Sequence, residues 1–296
     1  MRHLCFVTFL FWLLPGLPFA ATQTSVHDLQ FAATATRVSH SVRILVIKPD
    51  KPLATVILFA GGSGTVQIED DGTTTNQNFL VRSRHLFVQH GFTVAVVNAP
   101  SDRFFPDPNN PAEPIGLLGG FRRTQTYSDD IAGVIAFLRD LGPAVPLWLV
   151  GTSRGSTSAA YVAIRKRAGG GPDGIVLTSS LVVPVPPATT PIDNDSLLRV
   201  GIPSNSTGLS LSQINVPTLV MHHVNDQCSI TPYAGVQPLL QGLTGAPKLE
   251  GMAIKGGSTP SGNPCQALHY HGFIGIEGAV VARMAQWIKF GFKENP

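Results

Sequence analysis

Five short and almost uninterrupted apolar runs constrain this chain more than any other feature: ATVILFA (54–60), FTVAVVNA (92–99), PLWLV (146–150), GIVLTSS (174–180) and PTLVMHH (217–223). Lacking a polar face, each reads as a strand covered on both sides. SVRILVIK (41–48) alternates like a partly buried strand, and EGMAIK (250–255) is a further candidate. Helical patterns fill the intervals. One lies near 77–90 and is closed by Gly91. The next is expected to be capped by Ser128, with Asp129 and Asp130 in its first turn and Ile131, Val134, Ile135 and Leu138 on one face. A third runs from Ser153 to the glycines at 169–171, and a last helix carries Val280, Val281, Met284, Trp287 and Ile288. Apolar strands alternating with amphipathic helices define an α/β class, with a mostly parallel central sheet and helices on both faces. Crossovers of that kind align the strands' C-terminal ends along one rim, where sites usually form.

With 296 residues, 43% of them hydrophobic and 13% charged, the chain can bury one large core. Its first twenty residues read as a separate unit: Arg2, an apolar run from Leu4 to Leu14, a helix-breaking PGLP, then Ala20 and Ala21. That order predicts a secretory signal peptide over 1–20, leaving 21–296 as a single domain. The run is too short to span a bilayer comfortably, and no later stretch is long and apolar enough to do so. Without Arg2 the balance is 20 basic to 18 acidic residues, with RKR (165–167) the one basic cluster. It reads as a helix end, which argues against a nucleic-acid partner. The stretch 100–123 is a loop by composition. Segment 181–215 is too apolar for an idle linker and reads as a small insertion over the rim. Beyond Cys5 in the leader, Cys228 and Cys265 form an even pair, which an oxidising compartment would be expected to join.

Chemistry-bearing residues collect at expected strand ends. In GTSRGS (151–156) a serine stands between two glycines, directly after PLWLV and before a helix. Such a turn leaves no room for side chains at the glycines and pushes the Ser153 hydroxyl to the rim. A serine hydroxyl is a poor nucleophile until a histidine takes its proton, and that imidazole needs a carboxylate to fix its tautomer. Asp226 follows the strand PTLVMHH, although an aspartate there also suits a turn or cap. The loop CQALHYHGFIGIE (265–277) offers His269 and His271 before the last helix. His85, His90, His222 and His223 read as structural. A metal site built from His222, His223, Asp226, His269 and His271 would leave GTSRGS unexplained and lacks a spaced ligand signature. GGSG (61–64) has neither the phosphate-loop lysine nor a dinucleotide glycine pattern. FFP (104–106) and LVVPVPP (181–187) are candidates for lining an apolar acyl pocket, although buried packing suits each residue better, and Arg122 and Arg123 are candidates for meeting an acidic substrate group, although an exposed position before a helix suits them better.

VILFAGGSG, GTSRGS, INVPTLVMHHVNDQC and HYHGF, with Ser153, Asp226 and His271 following one another in the chain, resemble the α/β-hydrolase superfamily over roughly residue 41 to the end. The resemblance leans toward its compact secreted esterase, lipase and dienelactone-hydrolase-like branches. It implies an α/β-hydrolase fold and a Ser153–His271–Asp226 triad, and it favours His271 over His269. It also implies an oxyanion hole from the backbone N–H of Arg154 and of Gly62, with Ser63 the alternative to Gly62. Ala60 stands where the lipase-like His-Gly-Gly-Gly form has histidine. The implied activity is hydrolysis of small-molecule or lipid-like carboxylic esters, with no metal or organic cofactor. A peptidase, amidase or thioesterase would use the same triad, and a noncatalytic binding protein would use the same fold. A Cys228–Cys265 bond would tie the acid loop to the histidine loop.

Overall fold

A computed structural model describes residues 22–142, 144–183, 196–199 and 209–291. The expected signal peptide therefore lies outside the described residues, as does most of the expected insertion (184–195 and 200–208).

The described residues form ten strands and six α-helices, in the order β1 (Thr22–Phe31), β2 (His40–Pro49), β3 (Ala54–Phe59), α1 (Phe79–Arg82), α2 (Arg84–Gln89), β4 (Phe92–Val97), a hairpin of β5 (Pro106–Asp107) and β6 (Asn110–Pro114), α3 (Gln125–Leu141), β7 (Leu147–Thr152), α4 (Arg154–Arg165), β8 (Gly174–Thr178), β9 (Thr218–His223), α5 (Val236–Gly242), β10 (Leu249–Ile254) and α6 (Glu277–Phe290). All but β5 and β6 form one sheet, ordered β1-β2-β4-β3-β7-β8-β9-β10. Only the β1–β2 and β2–β4 pairs are antiparallel. From β4 onward every pair is parallel.

Strand periodicity divides the core into two layers, because successive side chains leave opposite faces of a sheet. On one side Ile57, Phe59, Leu149, Ile175 and Val220 pack with α3, α4 and α5. On the other Val56, Leu58, Val150, Val176 and Leu219 pack with α1, α2 and α6. Burial of β3, β4, β7, β8 and β9 is complete along their lengths, as uninterrupted apolar runs require. Val280, Val281, Met284, Trp287 and Ile288 of α6 are all buried, each contributing about 1.5–3 kcal/mol of apolar transfer free energy.

Several expectations are corrected. β1 precedes the first strand expected from the sequence; it is an edge strand whose residues are all exposed or half-buried, so it carries no continuous apolar signal. The helix expected over 77–90 is broken at Ser83, where φ −91° and ψ 2° end α1 and start α2. Thr124, not Ser128, caps α3: its side chain accepts the N–H of Tyr127 at 3.1 Å. Ser128 lies inside that helix, buried, and its hydroxyl donates to the Thr124 carbonyl. Asp130 is not a solvated first-turn charge either, since it is buried and binds Arg37 and His40. Arg122, expected at the surface, is fully buried. Phe104 and Phe105, expected in packing, are each 45% exposed.

Candidate active site

The turn between β7 and α4 is where sequence dictates geometry most tightly. Ser153 has φ 53° and ψ −127°, a conformation that L side chains rarely adopt, and stands one residue before α4. Both flanking glycines are required by close approach. A side chain on Gly151 would overlap the Gly155 carbonyl, and one on Gly155 would overlap the Phe59 carbonyl of β3. The Ser153 N–H donates to Thr178 O of the neighbouring strand at 3.0 Å. Ser156 returns both its N–H and its hydroxyl to Ser153 O. Ser153 and Arg154 are each only 7% exposed.

Asp226 follows β9 in a tight turn and is buried. Its Oδ1 accepts the Cys228 N–H at 2.9 Å. Its Oδ2 lies 3.0 Å from His271 Nδ1, 3.0 Å from Thr231 Oγ1 and 3.3 Å from His222 Nε2. Burial alone would raise this carboxyl's pKa; the close approach of His222 Nε2, which also bonds Thr231 O at 2.8 Å, the hydrogen bond and charge of His271 and the Cys228 N–H outweigh it and hold the group well below the usual range. Thr231 has one hydroxyl proton and gives it to Asp226, so it meets His271 Nδ1, 3.1 Å away, as an acceptor. That arrangement puts the imidazole proton on Nδ1 and leaves a lone pair on Nε2.

His271 sits in a single 3-10 turn, Tyr270–Gly272, ahead of α6. Gly272 is needed there because a side chain would overlap the Ala267 carbonyl. The loop is fastened from outside: Ser179 Oγ donates to His271 O at 2.8 Å, and Arg82 donates to Gly272 O at 2.6 Å while pairing with Glu277. Cys228 and Cys265 form a disulfide, which links the acid turn to the histidine loop.

At the end of β3, Gly61 faces the nucleophile: a side chain on it would come within 2.9 Å of Ser153 Cβ. The Gly61 carbonyl accepts the Gly64 N–H, and Gly62 has φ 57°. Buried Arg122 holds this turn from beneath, donating to Ala60 O, Gly62 O and Ser158 Oγ. Gly61, Gly62, Ser63, Ser153 and His271 line one cavity of about 450 Å³. Much of its remaining wall is polar, including Gln67, Asn76, Asn78, Glu113 and Gln266.

Of the residues singled out in the sequence, the structure brings Asp226 and His271 into hydrogen-bond contact and sets Ser153, Gly62 and His271 on a common cavity. His269 is buried, and among the described residues its Nδ1 has no hydrogen-bond partner. His223 turns its Nε2 to Gly256 O. Among the described residues no group of three or more His, Cys, Asp or Glu side chains could hold a metal ion, and no helix is long and apolar enough to cross a membrane. Phe104 does not line this cavity; it borders a separate depression beside Arg43. Thr231, Arg122 and Asn78 are the site residues that sequence reasoning misses. Thr231 and Arg122 have no local signature, because their partners lie far away in the chain or across a turn; Asn78 bonds Asn76 and Leu80 locally, and only the fold brings it beside Ser153.

Strand order, crossover pattern and the strand-to-helix serine turn define an α/β-hydrolase fold. No family model matches the chain, and no curated protein sequence matches it. Solved structures do. An esterase from an Arctic intertidal metagenomic library aligns over 94% of this chain and 99% of its own, with a TM-score of 0.56 at 14% identity. A sugar hydrolase from Lactococcus lactis aligns over 89% and 97%, with a TM-score of 0.54 at 13% identity. An acylaminoacyl peptidase from Pyrococcus horikoshii aligns over 92% of this chain and 43% of its own, with a TM-score of 0.55 at 11% identity. The likeness is one of fold.

Proposed function

We propose that this protein is an exported serine hydrolase that cleaves carboxylic esters through Ser153, His271 and Asp226. The observation that carries the reading is the 3.0 Å contact of His271 Nδ1 with a buried carboxylate, on a cavity that also holds the strained Ser153 turn. Ser153 Oγ attacks the acyl carbon as its proton passes to His271 Nε2, and Asp226 stabilises the imidazolium. The negative charge on the former carbonyl oxygen is received by the N–H groups of Arg154 and Gly62, with Ser63 next in the turn. Collapse expels the alcohol, which takes the proton from His271. Water then adds to the acyl-enzyme, gives its proton to His271, and the acid leaves as Oγ recovers that proton.

The polar wall favours short or hydroxylated acyl groups over long aliphatic chains, because an alkyl chain there would strand amide groups without water. Export is supported by the disulfide and by the leader-like order of residues 1–20, with 21–296 as the mature domain.

Labelling with a fluorophosphonate, which reacts with activated serines, tests the reading. Wild-type protein should be labelled and should hydrolyse p-nitrophenyl acetate, and Ser153→Ala should do neither. Folded wild-type protein that takes no label would favour a noncatalytic binding role.

A further inference from the structure

Asn78 stands beside the nucleophile with half of its side chain committed and half not. Its Oδ1 accepts the Leu80 N–H at 3.2 Å, which fixes the carboxamide so that oxygen faces α1 and nitrogen faces the other way. The backbone beneath it is held as well. Asn76 Oδ1 accepts the Asn78 N–H at 2.8 Å, and Asn76 Nδ2 donates to Thr65 O at 3.1 Å. A methyl group built on Gly61 would lie 2.9 Å from Ser153 Cβ and 3.4 Å from Asn78 Nδ2. One atom placed beside Gly61 therefore touches both the Ser153 side chain at Cβ and the amide nitrogen. Asn78 lines the same cavity as Gly62, Ser153 and His271, and among the described residues its Nδ2 donates to no acceptor.

Capping does not need that nitrogen, since Ser, Thr or Asp would serve α1 equally well. A spare N–H donor on the cavity that holds Ser153 is what asparagine adds. We propose that the Asn78 carboxamide is a further oxyanion donor, supplementing the Arg154 and Gly62 N–H groups on the oxygen of the tetrahedral intermediate. The proposal rests on the serine-hydrolase reading above. Asn78 forms no covalent bond and moves no proton; its Nδ2–H shortens toward the oxygen as charge develops there, so it acts on kcat rather than on ground-state binding.

Asn78→Ser and Asn78→Asp both keep an oxygen for the cap, so fold and thermal midpoint should stay close to wild type. With p-nitrophenyl acetate, kcat should fall about 100-fold in Asn78→Ser, with KM within about twofold, as for loss of one side-chain donor from such a hole, and further in Asn78→Asp, whose carboxylate repels the developing charge. Affinity for a boronic acid, whose serine adduct mimics the tetrahedral intermediate, should weaken in parallel. A purely structural cap predicts wild-type kcat in Asn78→Ser. If wild type takes the fluorophosphonate label and Asn78→Ser keeps kcat within threefold, the Asn78 assignment is overturned while the triad reading stands. An unlabelled, inactive wild-type protein overturns both.

Discussion

Asp226 draws four neighbours onto its carboxylate, and this crowding ties its protonation to stability. Its pKa in the fold is held well below the unfolded value of about 3.9. As pH falls, the unfolded chain takes up that proton before the folded one does. The stabilisation is therefore complete above the ordinary carboxylate range and is lost as pH falls through that range toward the folded value. Asp226→Asn should unfold at lower urea than wild type at pH 7, by about 1.5–3 kcal/mol, the worth of hydrogen bonds to a charged group. The gap should narrow between pH 5 and pH 3; a gap constant over that interval would show that the charge is not what stabilises. At this scale the sequence was readable only in part. Ser153, Asp226 and His271 could be singled out because their residue types and chain order carry meaning. Thr231 could not, since a threonine becomes part of a relay only when folding sets it against a histidine forty positions away. Arg122 is opaque for the same reason: Arg–Arg before a helix suits solvent, and only the fold brings its acceptors, Ala60 O, Gly62 O and Ser158 Oγ, beneath the turn.

At the scale of elements, glycine decides how closely α4 seats against the sheet. Gly155 lies in the first turn of α4, where an added methyl would run into the Phe59 and Ala60 carbonyls at the end of β3. Those atoms are backbone of a buried strand and cannot move aside cheaply. Gly278 is also helical, in α6, but an added methyl there meets nothing within 4 Å. The two positions form an internal control. Gly155→Ala should cost about 2–3 kcal/mol or more by overpacking, and it should displace Ser153 and lower kcat. Gly278→Ala should gain about 0.5–1 kcal/mol from helix propensity. Thermal denaturation of both reads the contrast, and two shifts of the same sign would overturn it. Elements were legible where burial is complete, because a strand covered on both faces must be apolar throughout. Legibility failed where burial is partial or where a polar side chain sets a boundary. β1 carries only half-buried and exposed positions, and the choice between Thr124 and Ser128 as cap rests on a backbone conformation that both residues tolerate.

Across the whole molecule, the histidine and the acid arrive on separate loops after separate strands, and their register depends on how those loops are joined. The Cys228–Cys265 bond closes a loop with a sequence separation of 37, one end two residues past Asp226 and the other six before His271. It acts on two quantities at once. Closing a loop of that size restricts the unfolded chain by about 3–4 kcal/mol in the chain-entropy account. In the folded state it also limits how far the 258–276 loop can drift from the acid turn, alongside the Ser179 and Arg82 contacts. The double variant Cys228→Ser/Cys265→Ser separates the two effects. Its urea midpoint should fall by an amount equivalent to about 2–4 kcal/mol. Well below its thermal midpoint it should retain the His271–Asp226 contact, because Thr231, Ser179 and Arg82 still hold the loop. Its kcat there should stay within about tenfold of wild type, while its activity should disappear at a lower temperature. Full loss of activity in a variant still folded by circular dichroism would instead make the disulfide an essential part of the site's alignment. The same comparison with reduced wild-type protein checks that the serines themselves are not responsible.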